Sequence, residues 1–169
     1  MFSVQINDTA SDGLEELARA LMDLTPVWAD IGEDLLVSHQ DRIARGEQPD
    51  GSPFAPRSPT TIKRYQKMGL SFGAPLNQSG DMRLGLHYAT SPNSLELGSG
   101  AIQAAVMQFG AKKGAFGSYQ GEGFGGTTPT ISIPWGDIPA RPFLGLSDED
   151  QDAITAAVGE WLTSIAGQD

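Results

Sequence analysis

The sequence predicts an α+β fold: a small, mostly antiparallel sheet packed by N-terminal helices and a C-terminal helix, with long ordered loops between them. Three observations carry this expectation. Apolar residues recur at helical spacing towards both ends, at Leu14, Leu17, Ala18 and Leu21 and again at Ile154, Ala157, Val158, Trp161, Leu162 and Ile165. Short stretches of strand character lie at the start and in the middle of the chain. Between them run proline-rich and glycine-rich segments too broken for regular structure.

Taken in order, Phe2, Val4 and Ile6 alternate with Ser3, Gln5 and Asn7, the pattern of a half-buried strand. A helix follows from Ser11, with Glu15 and Glu16 in its first turn, where the helix dipole favours acids. Thr25-Pro26 interrupts it, because the residue before a proline avoids the α region while proline suits the first turn of a new helix. That second helix carries Val27, Trp28, Ile31, Leu35, His39 (or Leu36) and Ile43 on one stripe and ends at Gly46. The segment EQPDGSPFAPRSP, 47–59, holds four prolines and a Pro-Asp-Gly turn, which predicts an ordered surface loop anchored by Phe54.

Thr60 to Lys67 is a short basic segment, and Ser79 is placed to cap a short helix. Gly85 to Thr90 and Ser94 to Leu97 form a hairpin around Ser91-Pro92-Asn93. Ala101 to Phe109 has helical character and stops at Gly110. Residues 111–129 contain six glycines interleaved with Phe116, Tyr119 and Phe124, and read as a flexible glycine-rich loop. Thr130-Ile-Ser-Ile-Pro is a strand, and the last helix runs from a Ser147 cap to Ala166 with Asp148, Glu149 and Asp150 in its first turn. With no internal repeat and no composition break, residues 1–169 read as a single domain.

At 169 residues and 39% hydrophobic content the chain is large enough to bury a core, and no apolar run approaches the roughly 20 residues of a membrane span. Its N-terminus lacks the pattern of a signal peptide. With no cysteine there are no disulfides, thiolate metal sites or cysteine nucleophiles, which fits a reducing cytoplasm. The net charge of −10 is unevenly spread: residues 1–40 hold eight acids and one base, 41–90 four acids and seven bases, and 146–169 six acids and no base. Acidic ends around a basic middle suit head-to-tail stacking or a face that repels nucleic acid.

Motifs for catalysis are missing. His39 and His87 stand in unrelated segments, no HExxH or GxSxG occurs, and the glycine-rich loop has neither phosphate-binding pattern. The stretch Ile62 to Lys67 interleaves bases with Tyr65, which suits local phosphate contact or an acidic protein partner, while the overall charge argues against a genome-scanning DNA binder. An interaction protein with no catalytic residues, metal or cofactor is therefore expected in preference to a small hydrolase.

The landmarks PDGSPFAPRSPTT (49–61), LNQSGDMRLGL (76–86), LELGSG (95–100), MQFGA (107–111) and IPARPFLGLSDED (138–150), following an acidic helical region, resemble the phage virion morphogenesis family, tail-completion proteins of the kind found in Mu-like and P2-like phages. The resemblance covers roughly residues 25 to 165. Phe54 stands where many relatives have tryptophan, Ala104 to Met107 replaces a segment that often ends in histidine, and the glycines at 114–126 look specific to this branch.

The resemblance implies a virion neck protein, assembled in the host bacterial cytoplasm, that completes the tail end and joins tail to head. It would act as a homo-oligomeric ring, expected as a hexamer, around a channel through which DNA passes without sequence recognition. Its other partners would be the head-connector and the tail-tube or terminator proteins, with no membrane. The alternative is a tail terminator ring capping the tail tube. Candidate interaction residues are Arg141, Pro142 and Phe143 in the proline-bracketed motif, Phe54 and Arg57 in the proline loop, Lys63 and Arg64, and Lys112, Lys113, Phe116, Tyr119 and Phe124 around the glycine-rich segment. Pro139 and Pro142 stiffen the backbone beside Arg141, so its guanidinium is either presented to a partner at low entropic cost or paired with a carboxylate of its own subunit.

Overall fold

The computed structural model describes residues 10–121, 128–132 and 136–166. The expected strand at Phe2–Ile6 lies outside them, as does Phe124. The elements are α1 (Ala10–Ala20), α2 (Thr25–Arg45), α3 (Pro59–Lys67), α4 (Asp81–Leu84), β1 (Leu86–Ser91), β2 (Ser94–Ser99), α5 (Ala104–Phe109), β3 (Ser118–Gln120), β4 (Thr130–Ser132) and α6 (Asp148–Ala166). The α+β class holds, with the strands divided between two separate two-stranded sheets, β1-β2 and β3-β4. No helix among the described residues is long and apolar enough to cross a membrane.

Backbone contacts divide the chain into two compact, sequence-interleaved units: residues 1–38, 87–98 and 146–169 form the first, and 39–86 with 99–145 the second.

In the first unit the α2 stripe forms the core. Val27, Ile31 and Leu35 are buried and pack against Trp28, Leu95 of β2, and Ile154, Ala157, Val158 and Trp161 of α6. α1 also packs on α6. The Leu24 amide donates to the Pro92 carbonyl at 3.0 Å, tying the approach to α2 to the turn of the hairpin. Gly32 explains how closely α2 lies to β1: a Cβ there would come within 2.5 Å of the Tyr88 ring. The Tyr88 hydroxyl donates to Glu33 Oε1 at 2.8 Å, which raises its pKa above the usual tyrosine value.

Ser147 caps α6 as its sequence suggests, and it does so reciprocally. The Asp150 amide donates to Ser147 Oγ at 3.2 Å, and the Ser147 amide donates to Asp150 Oδ2 at 2.9 Å. Ser38 Oγ donates to the second oxygen of the same carboxylate at 2.6 Å, so α2 is held to the start of α6 through Asp150.

The second unit begins with the last turns of α2, where His39 and Ile43 are almost wholly buried. Gly46 ends the helix with φ of 81°, and its carbonyl accepts the Phe54 amide at 2.7 Å. The loop between them is shaped by Asp50, whose carboxylate accepts from both the amide and the hydroxyl of Ser52. Those bonds hold the Asp50 pKa below the usual carboxylate value. Phe54 is buried, as an anchor should be.

One local expectation is filled in and two change. The basic segment at 60–67 is helical, started by Pro59 and capped by Ser58 Oγ, which accepts the Thr61 amide at 3.1 Å. The cap residue of α4 is Gly80, in the left-handed region, while Ser79 Oγ donates to Asp81 Oδ2 at 2.8 Å. Within the stretch expected to be a loop, Ser118–Gln120 pairs antiparallel with Thr130–Ser132, placing Tyr119 opposite Ile131.

Because Gly32 admits the Tyr88 ring, Gly32→Ala is expected to destabilise the protein by about 1–3 kcal/mol. Urea denaturation reads this directly, and an unchanged midpoint would contradict the close approach of helix and strand.

Candidate interaction cleft

Within the second unit, four stretches of chain converge on a cleft of about 460 Å³. The proline loop and α3 contribute Arg57, Ser58, Thr61 and Tyr65; the 75–82 stretch adds Leu76, Gln78, Ser79 and Met82. Gln103 and Met107 come from the N-cap and body of α5, and Asp137 to Pro139 with Arg141 close the fourth side. Leu76 and Asp137 both hold positive φ, 67° and 49°, which is uncommon outside glycine and costs backbone energy. Both strained residues line this one cleft.

Arg141 is turned inward, only 7% exposed. Nε donates to the Ala55 carbonyl at 2.6 Å and Nη2 to the Pro56 carbonyl at 2.8 Å, while Nη1 reaches the Pro139 carbonyl at 3.4 Å. Its own amide donates to the Met107 carbonyl at 2.7 Å. One residue, through its side chain and its amide, thus joins the proline loop, the end of α5 and the IPARPF segment. The partners are backbone carbonyls, so the alternative of an intramolecular carboxylate pair does not hold, and neither does free presentation to solvent. Burial, and secondarily the charge on Arg57, lower the pKa of the guanidinium.

Arg57 is held from the other side of the cleft. Its two terminal nitrogens donate to the Gly73 and Ala74 carbonyls, and its guanidinium lies 5.8 Å from the Tyr65 ring centroid and 5.5 Å from that of Phe72. Neither arginine is ion-paired with a carboxylate among the described residues. Asp137, on the same cleft, accepts the Lys113 amide at 3.5 Å. Two like charges therefore share one recess with neutral carbonyls and aromatic faces as direct partners, and Asp137 lies on the same lining without ion-pairing to either.

The remainder of the IPARPFLG motif is fastened by residues that sequence reasoning passed over. Gln108 Oε1 accepts the amides of Phe143 and Leu144, each at 3.0 Å, and its Nε2 donates to the Leu144 carbonyl at 3.0 Å. Arg42 Nη2 donates to the Gly145 carbonyl at 2.9 Å, and the Gly145 amide points at His39 Nε2, 3.4 Å away. The glutamine in MQFGA acts as a one-residue strand partner, which no propensity or period announces. Gly110 has a steric role: its φ is 73°, and a Cβ would fall 2.7 Å from the Ile138 carbonyl and 2.9 Å from the Ala140 nitrogen. That tight passage lets Ala111 bridge to Ile138, and beside it lies a second cleft of about 390 Å³ between Phe109–Lys112 and Asp137–Ala140.

Of the other candidate residues, Phe54 and Phe143 are core, Pro142 and Phe116 are half-buried, and Lys63, Arg64, Lys112, Lys113 and Tyr119 are exposed. Lys112 lines the second cleft. The structure brings Arg57 and Arg141 together, while Phe109, Ile102 and Leu84 add exposed apolar surface that the sequence reading did not single out. Among the described residues no group of histidines and carboxylates is arranged to hold a metal ion.

Residues 6–163 match the family model described as phage virion morphogenesis family. No curated protein and no solved structure gives a significant match.

Arg141→Ala strips three carbonyls of their donor and is expected to cost on the order of 3 kcal/mol, with Arg141→Lys restoring only part because one ammonium cannot span the fork. Urea midpoints measure both, and a wild-type midpoint for Arg141→Ala would show that the guanidinium is not a structural tie.

Proposed function

Because this chain belongs to the phage virion morphogenesis family, we propose that it is a structural neck protein that completes the tail end and joins it to the head. Membership over residues 6–163 is the observation that carries this, and it makes the chain a protein of bacteriophage virion assembly. The finer reading is that identical subunits form a ring around the DNA channel, with head-connector proteins on one side and tail-tube or terminator proteins on the other. The protein acts by binding, without catalysis, at the head–tail junction of particles assembled in the host cytoplasm.

Charge supports the ring. The first unit holds fifteen acids and one base, the second six acids and ten bases, so net charges of −14 and +4 make up the total of −10. Each unit is built from separated stretches of sequence, so charge is segregated more sharply between the units than along the chain. A closed ring of identical subunits needs two different, complementary patches on each copy. Strongly acidic surface lets DNA slide past, whereas cationic walls bind phosphate.

A phage lacking this gene is expected to yield filled heads and tails of normal length that fail to join, seen by electron microscopy of lysates. Normally joined infectious particles would overturn the reading. Tails of uncontrolled length would instead favour a terminator that caps the growing tube.

A further inference from the structure

We propose that the cleft holding Arg57 and Arg141 is a carboxylate-binding site, and that its occupant is an acidic side chain from the first unit of a second copy of this chain. The inference rests on the self-assembly part of the function proposed above and assigns it a surface. Three features point the same way.

The recess holds two guanidinium groups, and among the described residues no carboxylate is ion-paired with either. Arg57 spends two of its five donors on Gly73 and Ala74, so N–H groups remain for an incoming oxygen. An anion placed here would relieve the repulsion between the two cations, a gain available only on binding.

The walls suit a protein side chain better than a nucleic-acid backbone. Met82, Met107, Tyr65 and Leu76 line the same recess, and these apolar surfaces match the methylene stem of an acidic side chain. The cleft's volume lies in the range of sites that enclose a small group, whereas a duplex is gripped along an open, strongly cationic surface.

The chain itself provides the complement. Its first unit carries a net −14, and Asp148 and Glu149 in the first turn of α6 are exposed. A contact of acidic unit on basic cleft is heterologous, using different patches on the two copies, which is the geometry that propagates around a ring.

Gln103 is the probe of choice. Its side chain lines the cleft without a hydrogen bond among the described residues, and it occupies the N-cap of α5, where an acid is well tolerated. Gln103→Glu places an internal carboxylate beside the arginines and excludes an incoming one. Sedimentation velocity on the full chain is expected to show wild-type self-association that weakens between about 50 mM and about 500 mM sodium chloride. Gln103→Glu, with a melting temperature at or above that of the wild type, is expected to associate at least about tenfold more weakly.

Equal association by the variant, or a wild-type chain that stays monomeric at low salt, overturns the inference. A duplex oligonucleotide that binds the wild type and is lost in the variant would do so as well, by assigning the cleft to phosphate. The neck reading is tested separately by the gene-deletion phenotype, so rings that form regardless of Gln103→Glu would refute the cleft and leave that reading standing.

Discussion

The second unit depends on one buried guanidinium whose partners are peptide carbonyls. Removing an arginine from water costs several kcal/mol, and here no carboxylate among the described residues offsets it. The compensation comes from hydrogen bonds of a charged donor, each worth about 1.5–3 kcal/mol, to Ala55 and Pro56, with a longer one to Pro139. Proline has no amide hydrogen, and a loop this rich in it cannot satisfy its carbonyls through a ladder. Arg141 supplies the donors that the backbone lacks. The prolines of both segments and the arginine between them are therefore parts of one solution, in which stiff irregular chain is ordered by a side chain with a planar fork of donors.

From that tie the other features follow. With the IPARPF segment laid against the end of α5, Gln108 can reach the amides of Phe143 and Leu144, and Phe143 is sealed in the core. Gly110 is needed because the two chains pass too closely for a Cβ. Arg57 meets the same recess from the proline loop just before α3, and the strained backbones of Leu76 and Asp137 complete its rim. Both uncommon conformations thus fall on the lining of one cleft.

Much of this was legible in the chain. The α2 stripe, the Thr25-Pro26 break, the Gly46 stop, the Ser91-Pro92-Asn93 turn and the Ser147 cap all arise from local rules, and local rules act through neighbours in sequence. Phe54 was readable as an anchor because a large aromatic in a proline loop has little else to do. The direction of Arg141 was not readable. Its acceptors are backbone carbonyls some 85 residues away, and every residue type carries one. Gln108 was silent for the same reason. The pairing of Ser118–Gln120 was hidden by glycines, which weaken the strand signal without preventing the ladder. The full charge segregation was not legible because each unit is assembled from stretches far apart in sequence.

The central claim is that this chain is a ring component of the virion neck, and imaging it in place tests that most directly. A reconstruction of the intact particle by electron cryomicroscopy should show the subunit as a closed ring between head and tail, with the Arg57–Arg141 cleft of each copy against the acidic unit of the next. A particle whose neck contains no density for this chain would contradict it.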